Sequence, residues 1–414
     1  MMQSLSKIDQ MREAVLLTFC ERVPDECDRL RHLSGKDWQK LLFWLDTSGL
    51  ALYFLDRLEE IKMIDVLPPV VRARLVQNRI DNKAKTEALI DESAAIQRIF
   101  QQQEFSYAML KGFSLWPISV PKPELRSQLD IDFLLAEEHA NDARKILEKR
   151  GYYLHAISGR SWEFKSKQSG TYSLKDLYKP TPQRSIELHI ERRGAGINSV
   201  LARREKLCFH GTCMSVLSPV DLFLGQGLHL AKHLCSEHTR AAHLIEFRRH
   251  IVTRYSDDAF WEQLKTAAKH NPNAPNALGF AMAYISHLMG DFAPEALKCW
   301  TVDHLAREAR LWVDLYARRT MLRGFPGNKL YLLLEREWQA NAQMKHSLRQ
   351  SLLPLRLPPA ITRAEHGESL ASRLRRWTRQ SRFILFRLHF HSREGCVFLV
   401  ESVRWNWHLK KFRR

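Results

Sequence analysis

The run Arg126–Leu135, RSQLDIDFLL, places two aspartates in a stretch that otherwise has the composition of a buried strand. Side chains alternate across a strand, so Asp130 and Asp132 project from the same face. Two carboxylates held so close together repel each other, and a divalent cation bound between them offsets this repulsion. Aspartate is disfavoured in buried strands, so the presence of two aspartates in this strand calls for an explanation. A D-x-D motif also occurs by accident at the solvated end of a sheet, so the flanking sequence decides its meaning.

Upstream of the pair, the sequence LKGFSL (110–115) predicts a strand that ends at a glycine. Gly112 permits close approach of the backbone to a phosphate, and Ser114 follows at the start of a possible helix, whose N-terminus would attract anions. Lys111 can pair with phosphate oxygens, and Arg126 lies just before the aspartates. These residues indicate a phosphate-binding turn.

Downstream, the segment Ser185–Glu191 reads SIELHIE and alternates apolar with polar residues. This alternation predicts a strand with its polar side chains on one face. Glu187 is a candidate third carboxylate, able to hold a metal or to accept a proton from an attacking group. His189, two residues further on, is placed to contact a substrate.

Taken in order, these motifs resemble the uncharacterised nucleotidyltransferase family of the DNA polymerase β-like nucleotidyltransferase superfamily. The resemblance rests on LKG, R-x-x-x-D-I-D-F-L-L, a helix that ends in R-G-Y, and I-E-L-H, and it covers about residues 105–190. The helical flanks, with His229 and the run HLIEFRRHI, are similar more loosely. The fold that the resemblance implies is α+β: a small mixed sheet with helices, flanked by helical N- and C-terminal regions.

The resemblance also implies roles for individual residues. Asp130, Asp132 and Glu187 would be catalytic and would hold the metal, Mg²⁺ or Mn²⁺. The nucleotide-binding residues would be Lys111, Gly112, Ser114, Arg126 and His189.

The function that the resemblance implies is metal-dependent transfer of a nucleoside monophosphate from an NTP, such as ATP, to an acceptor. The acceptor stays open among small molecules, saccharides, peptides and proteins. The family further suggests a bacterial accessory enzyme of biosynthetic gene clusters. Two alternatives remain: a catalytically inactive nucleotide-binding or interaction module, and a nucleic-acid-binding protein led by the basic C-terminal tail.

Hydrophobic periodicity divides the chain into four predicted parts: a helical region (1–103), the nucleotidyltransferase-like core (104–215), a helical domain (216–353) and a basic aromatic tail (354–414). The core is expected to contain further strands at Tyr152–His155, Ser161–Lys165 and Tyr172–Leu174. Predicted helices are Val70–Gln103, Glu137–Arg150, Val220–Leu234, His243–Tyr255, Asp258–Lys269, Ala274–Met289, Asp303–Leu322, with Asp303 as N-cap, and Leu330–Leu353. Pro354–Pro359 reads as a linker.

Half of the formal net charge of +18 lies in the tail, where residues 363–414 contain 13 Lys/Arg and 4 Asp/Glu. The charge favours an anionic partner. Basic residues interleaved with Trp and Phe suit an anionic membrane surface. They also suit single-stranded nucleic acid. A strand and a helix packed on the body, with a solvated basic face, is the third possibility.

Other sequence features indicate a cytoplasmic protein, with a peripheral membrane location left open by the tail. The N-terminus lacks the apolar stretch of a signal peptide, and no window of about 18 apolar residues predicts a transmembrane segment. The seven cysteines are scattered and include no C-x-x-C, so reduced thiols are expected.

Overall fold

Apolar residues at helical spacing build the N-terminal region as predicted. The computed structural model describes residues 5–166, 174–180, 184–194, 196, 199–209, 211–338, 351–352 and 369–413. The first helices are α1 (Lys7–Leu17), α2 (Gly35–Ser48), α3 (Ala51–Glu60) and α4 (Pro69–Gln102). A capping box starts α2, because Ser34 Oγ accepts from the Asp37 N–H while the Asp37 carboxylate accepts from the Ser34 N–H. Gly49 ends α2 in the left-handed conformation, at φ +75°.

A mixed sheet follows α4 and carries the candidate site. Its strands are β1 (Tyr107–Met109), β2 (Asp130–Ala136), β3 (Tyr152–Ser158), β4 (Ser161–Ser166), β5 (Ser185–Glu191), β6 (Glu205–Phe209) and β7 (Thr212–Val216), with helix α5 (Ala140–Lys149) between β2 and β3. Within the described residues the spatial order is β3-β4-β5-β2-β1-β7-β6. The pairs β2–β5 and β1–β7 are parallel, and the other neighbours are antiparallel. The predicted α+β class is therefore confirmed.

One face of the sheet is covered by apolar side chains from α4 and α5. Ile131 and Phe133 of β2 are fully buried there, against Phe100 of α4. The rings of Phe100 and Phe133 meet edge to face with centroids 5.6 Å apart. Burial of these rings fixes which face of β2 turns inward, because a one-residue slip would expose the whole apolar set. The aspartates are thereby held on the opposite face.

The remaining described elements are helical. They are α6 (Pro219–Leu234), α7 (Ala241–Thr253), α8 (Asp258–Ala268), α9 (Ala274–Met289), α10 (Glu295–Lys298), α11 (Arg307–Met321), α12 (Tyr331–Trp338) and α13 (Leu370–Arg413). The chain divides into two compact units, one formed by 1–232 with 240–305 and the other by 233–239 with 306–414. The finer four-part division stays a prediction. No helix among the described residues has the length and hydropathy needed to span a membrane.

Several sequence-based boundaries need correction. Asp303 does not begin a helix and instead lies in the turn after α10, where its backbone N–H bonds to Lys298 O. The following helix starts four residues later, with Ala306 at its N-cap position. The tail contains no strand over 369–413 and is one helix there. The hairpin β6–β7 was not predicted. The expected strand Tyr172–Leu174 lies outside the described residues except for Leu174, which is in a 3₁₀ turn.

Two further predictions also extend beyond the described residues. The helix predicted as Leu330–Leu353 is described as α12 only to residue 338, apart from residues 351 and 352. The linker Pro354–Pro359 lies entirely outside the described residues.

Candidate active site

Two carboxylates lie side by side because β2 and β5 pair in parallel. In this register Asp132 is opposite Glu187, and Leu134 is opposite His189. The apolar neighbours on both strands, including Ile131 and Ile186, point into the core. The alternation of strand side chains then leaves Asp132 and Glu187 on the other face of the sheet. The structure therefore places Glu187, the third carboxylate expected from the sequence, beside Asp132.

Basic side chains surround Asp132, whose side chain is only 1% exposed. Lys111 Nζ lies 3.3 Å from Asp132 Oδ2. His189 Nε2 lies 3.6 Å from Asp132 Oδ1 and 3.3 Å from Glu187 Oε2. Ser161 Oγ, on β4, donates a hydrogen bond of 2.8 Å to Glu187 Oε1. The cluster thus combines two acids with two cationic side chains and one hydroxyl.

The pKa values in the cluster follow from burial and from this charge pattern. Burial raises the pKa of Asp132, and the charge of Asp130 raises it further, against the opposing effect of His189. The contact with His189 lowers the pKa of Glu187 to about 2. Burial by itself lowers the pKa of His189, but Asp132 and Glu187 outweigh it and raise that pKa to about 9. At neutral pH His189 is therefore an imidazolium between two carboxylates.

Two buried atoms of the cluster have unsatisfied hydrogen-bonding capacity. Asp132 Oδ1 and His189 Nε2 are buried and have no hydrogen-bond partner within the described structure, although the two atoms lie 3.6 Å apart as an ion pair. Buried polar atoms without a partner are uncommon in native proteins. Single donor atoms of Asp132, Glu187 and His189 all lie within 4.8 Å of one another. The two carboxylate oxygens suit Mg²⁺ or Mn²⁺, and the imidazole nitrogen of His189 could join them as a ligand of Mn²⁺ only after losing its proton.

Asp130 stands slightly apart from this group. It lies on the same face of β2 and pairs in register with Ser185 rather than with an acidic residue. Asp130 also lines a pocket of about 390 Å³ together with Lys85, Lys165 and Arg184. The predicted metal set Asp130, Asp132 and Glu187 is thus brought to one face of the sheet, while His189 takes the third place in the tight group.

The turn after β1 has a shape that requires glycine. Gly112 has φ +73°, and a Cβ there would lie 2.5 Å from Gln128 Nε2. The same nitrogen donates to Asp130 O at 2.6 Å, and the Leu110 N–H donates to Asp132 O at 3.2 Å, which ties the turn to β2. Ser114 is in a short 3₁₀ turn, where its buried Oγ has no hydrogen-bond partner among the described residues. Lys111 is therefore delivered to the carboxylates by this turn, and Ser114 is not.

Arg126 is held by residues that are distant in the sequence. Its Nε donates to Glu246 Oε1 of α7 at 3.1 Å, and Tyr53 Oη of α3 donates to the same oxygen at 2.9 Å. Asn82 of α4 donates to the backbone oxygens of Glu124 and Arg126, at 2.6 and 3.3 Å. The loop that precedes β2 is thereby fixed from three helices.

Sequence reasoning missed two charged residues near this loop. Glu246 lies within the quoted run HLIEFRRHI, but nothing in that run pointed to Arg126. No motif in the sequence around Arg240 indicated that this residue lies near the site. Burial lowers the pKa of Arg240, and repulsion from Arg126 lowers it further. A Cβ at Gly49 would lie 2.7 Å from Arg240 Nη2, so this glycine makes room for the guanidinium.

A pocket of about 170 Å³ opens beside the carboxylates. Its lining includes Lys111, Arg126 and His189, three of the five predicted nucleotide-binding residues. Gln226 and His229 of α6 and His243 and Glu246 of α7 are its other polar lining residues. His250, on the same helix, does not line the pocket. It is buried, with its Nδ1 3.0 Å from both Ser119 Oγ and Gln226 Oε1.

The mixed sheet, the paired acids on adjacent parallel strands and the Lys-Gly turn define a nucleotidyltransferase-type domain. The sequence profile of a family described as "Uncharacterised nucleotidyltransferase" matches residues 34–290, which is more than half of the chain. The chain belongs to this family. The recognition made from the sequence motifs is thus confirmed, and the match extends into the helices on both sides of the sheet.

Other comparisons are more distant. One solved structure that matches is titled as an antigenic nucleotidyltransferase-like protein from Paracoccidioides brasiliensis. The two share 13% sequence identity, and the match covers 52% of this chain and 96% of that one, with a TM-score of 0.30. No curated protein matches the chain.

Proposed function

We propose that this protein transfers a nucleoside monophosphate from an NTP to an acceptor at the face of the sheet that carries Asp132 and Glu187. Membership of the nucleotidyltransferase family supports the reaction class and an NTP as substrate. The observation that carries the assignment to this chain's residues is the buried Asp132 Oδ1, which lacks a hydrogen bond and faces Glu187 and His189. A buried carboxylate oxygen of this kind is suited to a cation.

Asp132 and Glu187 would hold a divalent cation, joined by Asp130 or His189. Such an ion supplies neutralisation of charge on the triphosphate and on the leaving pyrophosphate. His189 and Lys111 balance the two acids when no cation is bound. With a cation bound, the two acids would no longer need Lys111 as a counter-charge, and Lys111 would be free to contact phosphate oxygens.

Two pockets support separate binding sites for the nucleotide and the acceptor. The pocket with Lys111 and Arg126 offers cationic groups for a triphosphate. It shares Leu110, Leu217 and Gly225 with a larger groove of about 1330 Å³, which has room for a nucleoside. The pocket of about 390 Å³ on the Asp130 side would receive the acceptor.

The chemistry that these positions allow is in-line displacement at the α-phosphorus. The acceptor hydroxyl forms a new P–O bond, the bond from the α-phosphorus to the bridging oxygen breaks, pyrophosphate leaves, and the acceptor proton passes to water. Glu187, which Ser161 orients, would position the acceptor. The chain contributes mainly by positioning and by fixed charge, as is usual in phosphoryl transfer.

Turnover tests this proposal. Release of pyrophosphate from each of the four NTPs, with Mg²⁺ or Mn²⁺, should be measured over a panel of hydroxyl-bearing saccharides, peptides and small metabolites. We expect Asp132→Asn and Glu187→Gln to lower the rate by at least about a hundredfold, since each removes charge at the reacting phosphate. Asp142→Asn, at an exposed carboxylate of α5, is the matched control and should keep the full rate.

The result that would contradict transfer is metal-dependent NTP binding that needs Asp132 but gives no pyrophosphate with any acceptor on the panel. That outcome would favour the first alternative, an inactive nucleotide-binding module. Full turnover in Asp132→Asn would instead show that the chemistry lies elsewhere in the chain.

A further inference from the structure

Both acidic side chains of α13 point away from solvent. From residue 370 to 412 the helix contains ten Lys/Arg but only two acids, Glu394 and Glu401. These two are 3% and 5% exposed. Arg323 binds Glu394 at 3.0 Å, and Arg319 binds Glu401 at 2.6 Å. The described outer face of this helix therefore carries no negative side chain.

An apolar stripe runs along the outer face. Of the nine large apolar side chains on the described part of α13 that are more than half exposed, seven recur at spacings of three, four or sums of these: Leu370, Leu374, Trp377, Leu385, Leu388, Leu399 and Val403. Leu388 and Val403 each lie two residues from a buried aromatic residue, Phe390 and Trp405, and so about half a turn away from it. The stripe is about 50 Å long, at 1.5 Å per residue. A stripe of this length is unusual on a face that meets only water.

A row of basic side chains borders the stripe. Arg375, Arg382, Arg393, Arg404 and Lys411 are all exposed and follow one another at spacings of 7, 11, 11 and 7 residues. These spacings are close to two and three helical turns, so the five side chains share one line along the helix. Arg375 and Arg404 directly follow members of the stripe, which places the row at its edge. The outer face thus combines apolar groups with cations alongside.

We propose that this outer face of α13 docks on an anionic lipid surface, with the helix lying in the plane of the headgroups. Leucine, valine and tryptophan side chains would enter the acyl boundary, while the neighbouring arginines would reach the phosphates. The inward placement of both acids removes the repulsion that an anionic surface would otherwise meet. This inference is independent of the proposed transfer reaction.

Two other kinds of partner would each match only one of the two features of this face. Single-stranded nucleic acid would use the basic row, but it would leave five leucines and a valine in water. A second copy of the chain would bury the stripe, but it would bring two basic rows together without any acid to separate them. An anionic bilayer is complementary to both the stripe and the row.

Co-sedimentation of the full chain with lipid vesicles tests the proposal. We expect binding to mixed phosphatidylglycerol–phosphatidylcholine vesicles, weaker binding at high salt, and no binding to phosphatidylcholine alone. The triple variant Arg375→Gln/Arg382→Gln/Arg393→Gln should lower the partition coefficient by roughly a hundredfold, from the usual contribution of a basic residue near an anionic surface. Arg22→Gln/Lys36→Gln/Lys40→Gln removes the same charge from exposed residues near the N-terminus and should bind like wild type.

A second variant separates the apolar contribution from simple charge attraction. Leu374→Glu/Leu388→Glu should abolish vesicle binding while leaving the circular dichroism spectrum unchanged, because both residues are exposed. Absence of binding to anionic vesicles by the wild-type chain would overturn the proposal. So would RNA binding that the arginine variant loses and the leucine variant keeps, or a dimer that only Leu374→Glu/Leu388→Glu dissociates, if either occurs without vesicle binding.

Discussion

Asp132 is the residue whose environment says most about the site. Its side chain is almost fully buried on a β-strand, where carboxylates are costly unless they are paired. Lys111 and His189 offset that cost, yet Oδ1 still lacks a hydrogen bond. A residue placed only for stability would be expected to satisfy both oxygens. The unsatisfied oxygen therefore favours a functional role.

Gly112 gives the first test at this scale. Gly112→Ala should destabilise the fold by about 1–2 kcal/mol through left-handed strain, and it should also abolish NTP binding, because the new Cβ would displace Gln128 and with it the turn that carries Lys111. Chemical denaturation and calorimetric titration with ATP measure the two effects.

Gly151→Ala is the matched control for this prediction. Gly151 also has a positive φ, of +89°, but a Cβ there meets no atom within 4 Å. The variant Gly151→Ala should therefore lose a similar amount of stability while NTP binding stays normal. Equal NTP affinity in the two variants would remove the Lys-Gly turn from the site.

The buried pair between Arg126 and Glu246 gives a second prediction. Glu246→Gln would leave the Arg126 guanidinium without its counter-charge, which should lower the free energy of unfolding by about 3 kcal/mol. Glu59→Gln breaks the more exposed pair with Arg79 and should cost less than about 1 kcal/mol. Urea denaturation of both variants measures the difference. Similar losses would mean that the buried pair does not hold the loop.

At the scale of elements, the strands of the site were predictable and their surroundings were not. SIELHIE predicted β5 with the observed bounds, because one face is buried and the other polar. The hairpin β6–β7 escaped notice because EKLCF and TCMSV do not alternate clearly. Asp303 has the chemistry of an N-cap, but it lies within the turn that follows α10, and α11 starts only at Arg307. Local pattern therefore worked where burial was one-sided and failed where a turn competed.

Helix α4 carries a prediction of its own. Asn82 is fully buried and donates to two backbone oxygens of the loop before β2. Asn82→Ala should cost about 1–3 kcal/mol, because buried carbonyl groups lose their partner. It should also weaken NTP binding by releasing Arg126. Gln77→Ala, on an exposed turn of the same helix, should change neither quantity. Retention of full NTP affinity in Asn82→Ala would show that α4 does not support the site.

At the scale of the whole molecule, the sequence named the catalytic candidates but not the packing around them. The order of motifs along the chain was enough to select Asp130, Asp132 and Glu187. The parallel register that sets Asp132 against Glu187 depends on pairing across more than 50 residues. The contact of Arg126 with Glu246 spans 120 residues. Such contacts arise from the packing of several elements, so a pattern in one segment does not contain them.

The pH dependence of stability provides a test at this scale. Burial, together with the smaller effect of the positive charge of Arg254, lowers the pKa of His250 to about 3. The unfolded chain, with a histidine pKa near 6.5, binds the proton more readily, so the stabilising contribution of neutral His250 is complete above about pH 6.5 and is lost progressively as the pH falls toward 3. The loss between pH 7 and pH 5 should be about 2 kcal/mol.

Comparison with His250→Gln isolates this contribution from the titration of the other groups. Chemical denaturation at several pH values should show that the stability difference between wild type and variant shrinks as the pH falls from 7 to 5. A difference that stays constant over this range would show that His250 is not held neutral in the folded protein.

Asp132 and Glu187 are proposed to form a divalent-cation site that serves an NTP. The most direct test of this site is the binding of Mn²⁺, followed by electron paramagnetic resonance, with and without ATP. We expect wild type and Asp142→Asn to bind Mn²⁺ more tightly when ATP is present, and Asp132→Asn to lose at least about tenfold in affinity under both conditions. Equal Mn²⁺ binding by wild type and Asp132→Asn would show that Asp132 does not hold the cation.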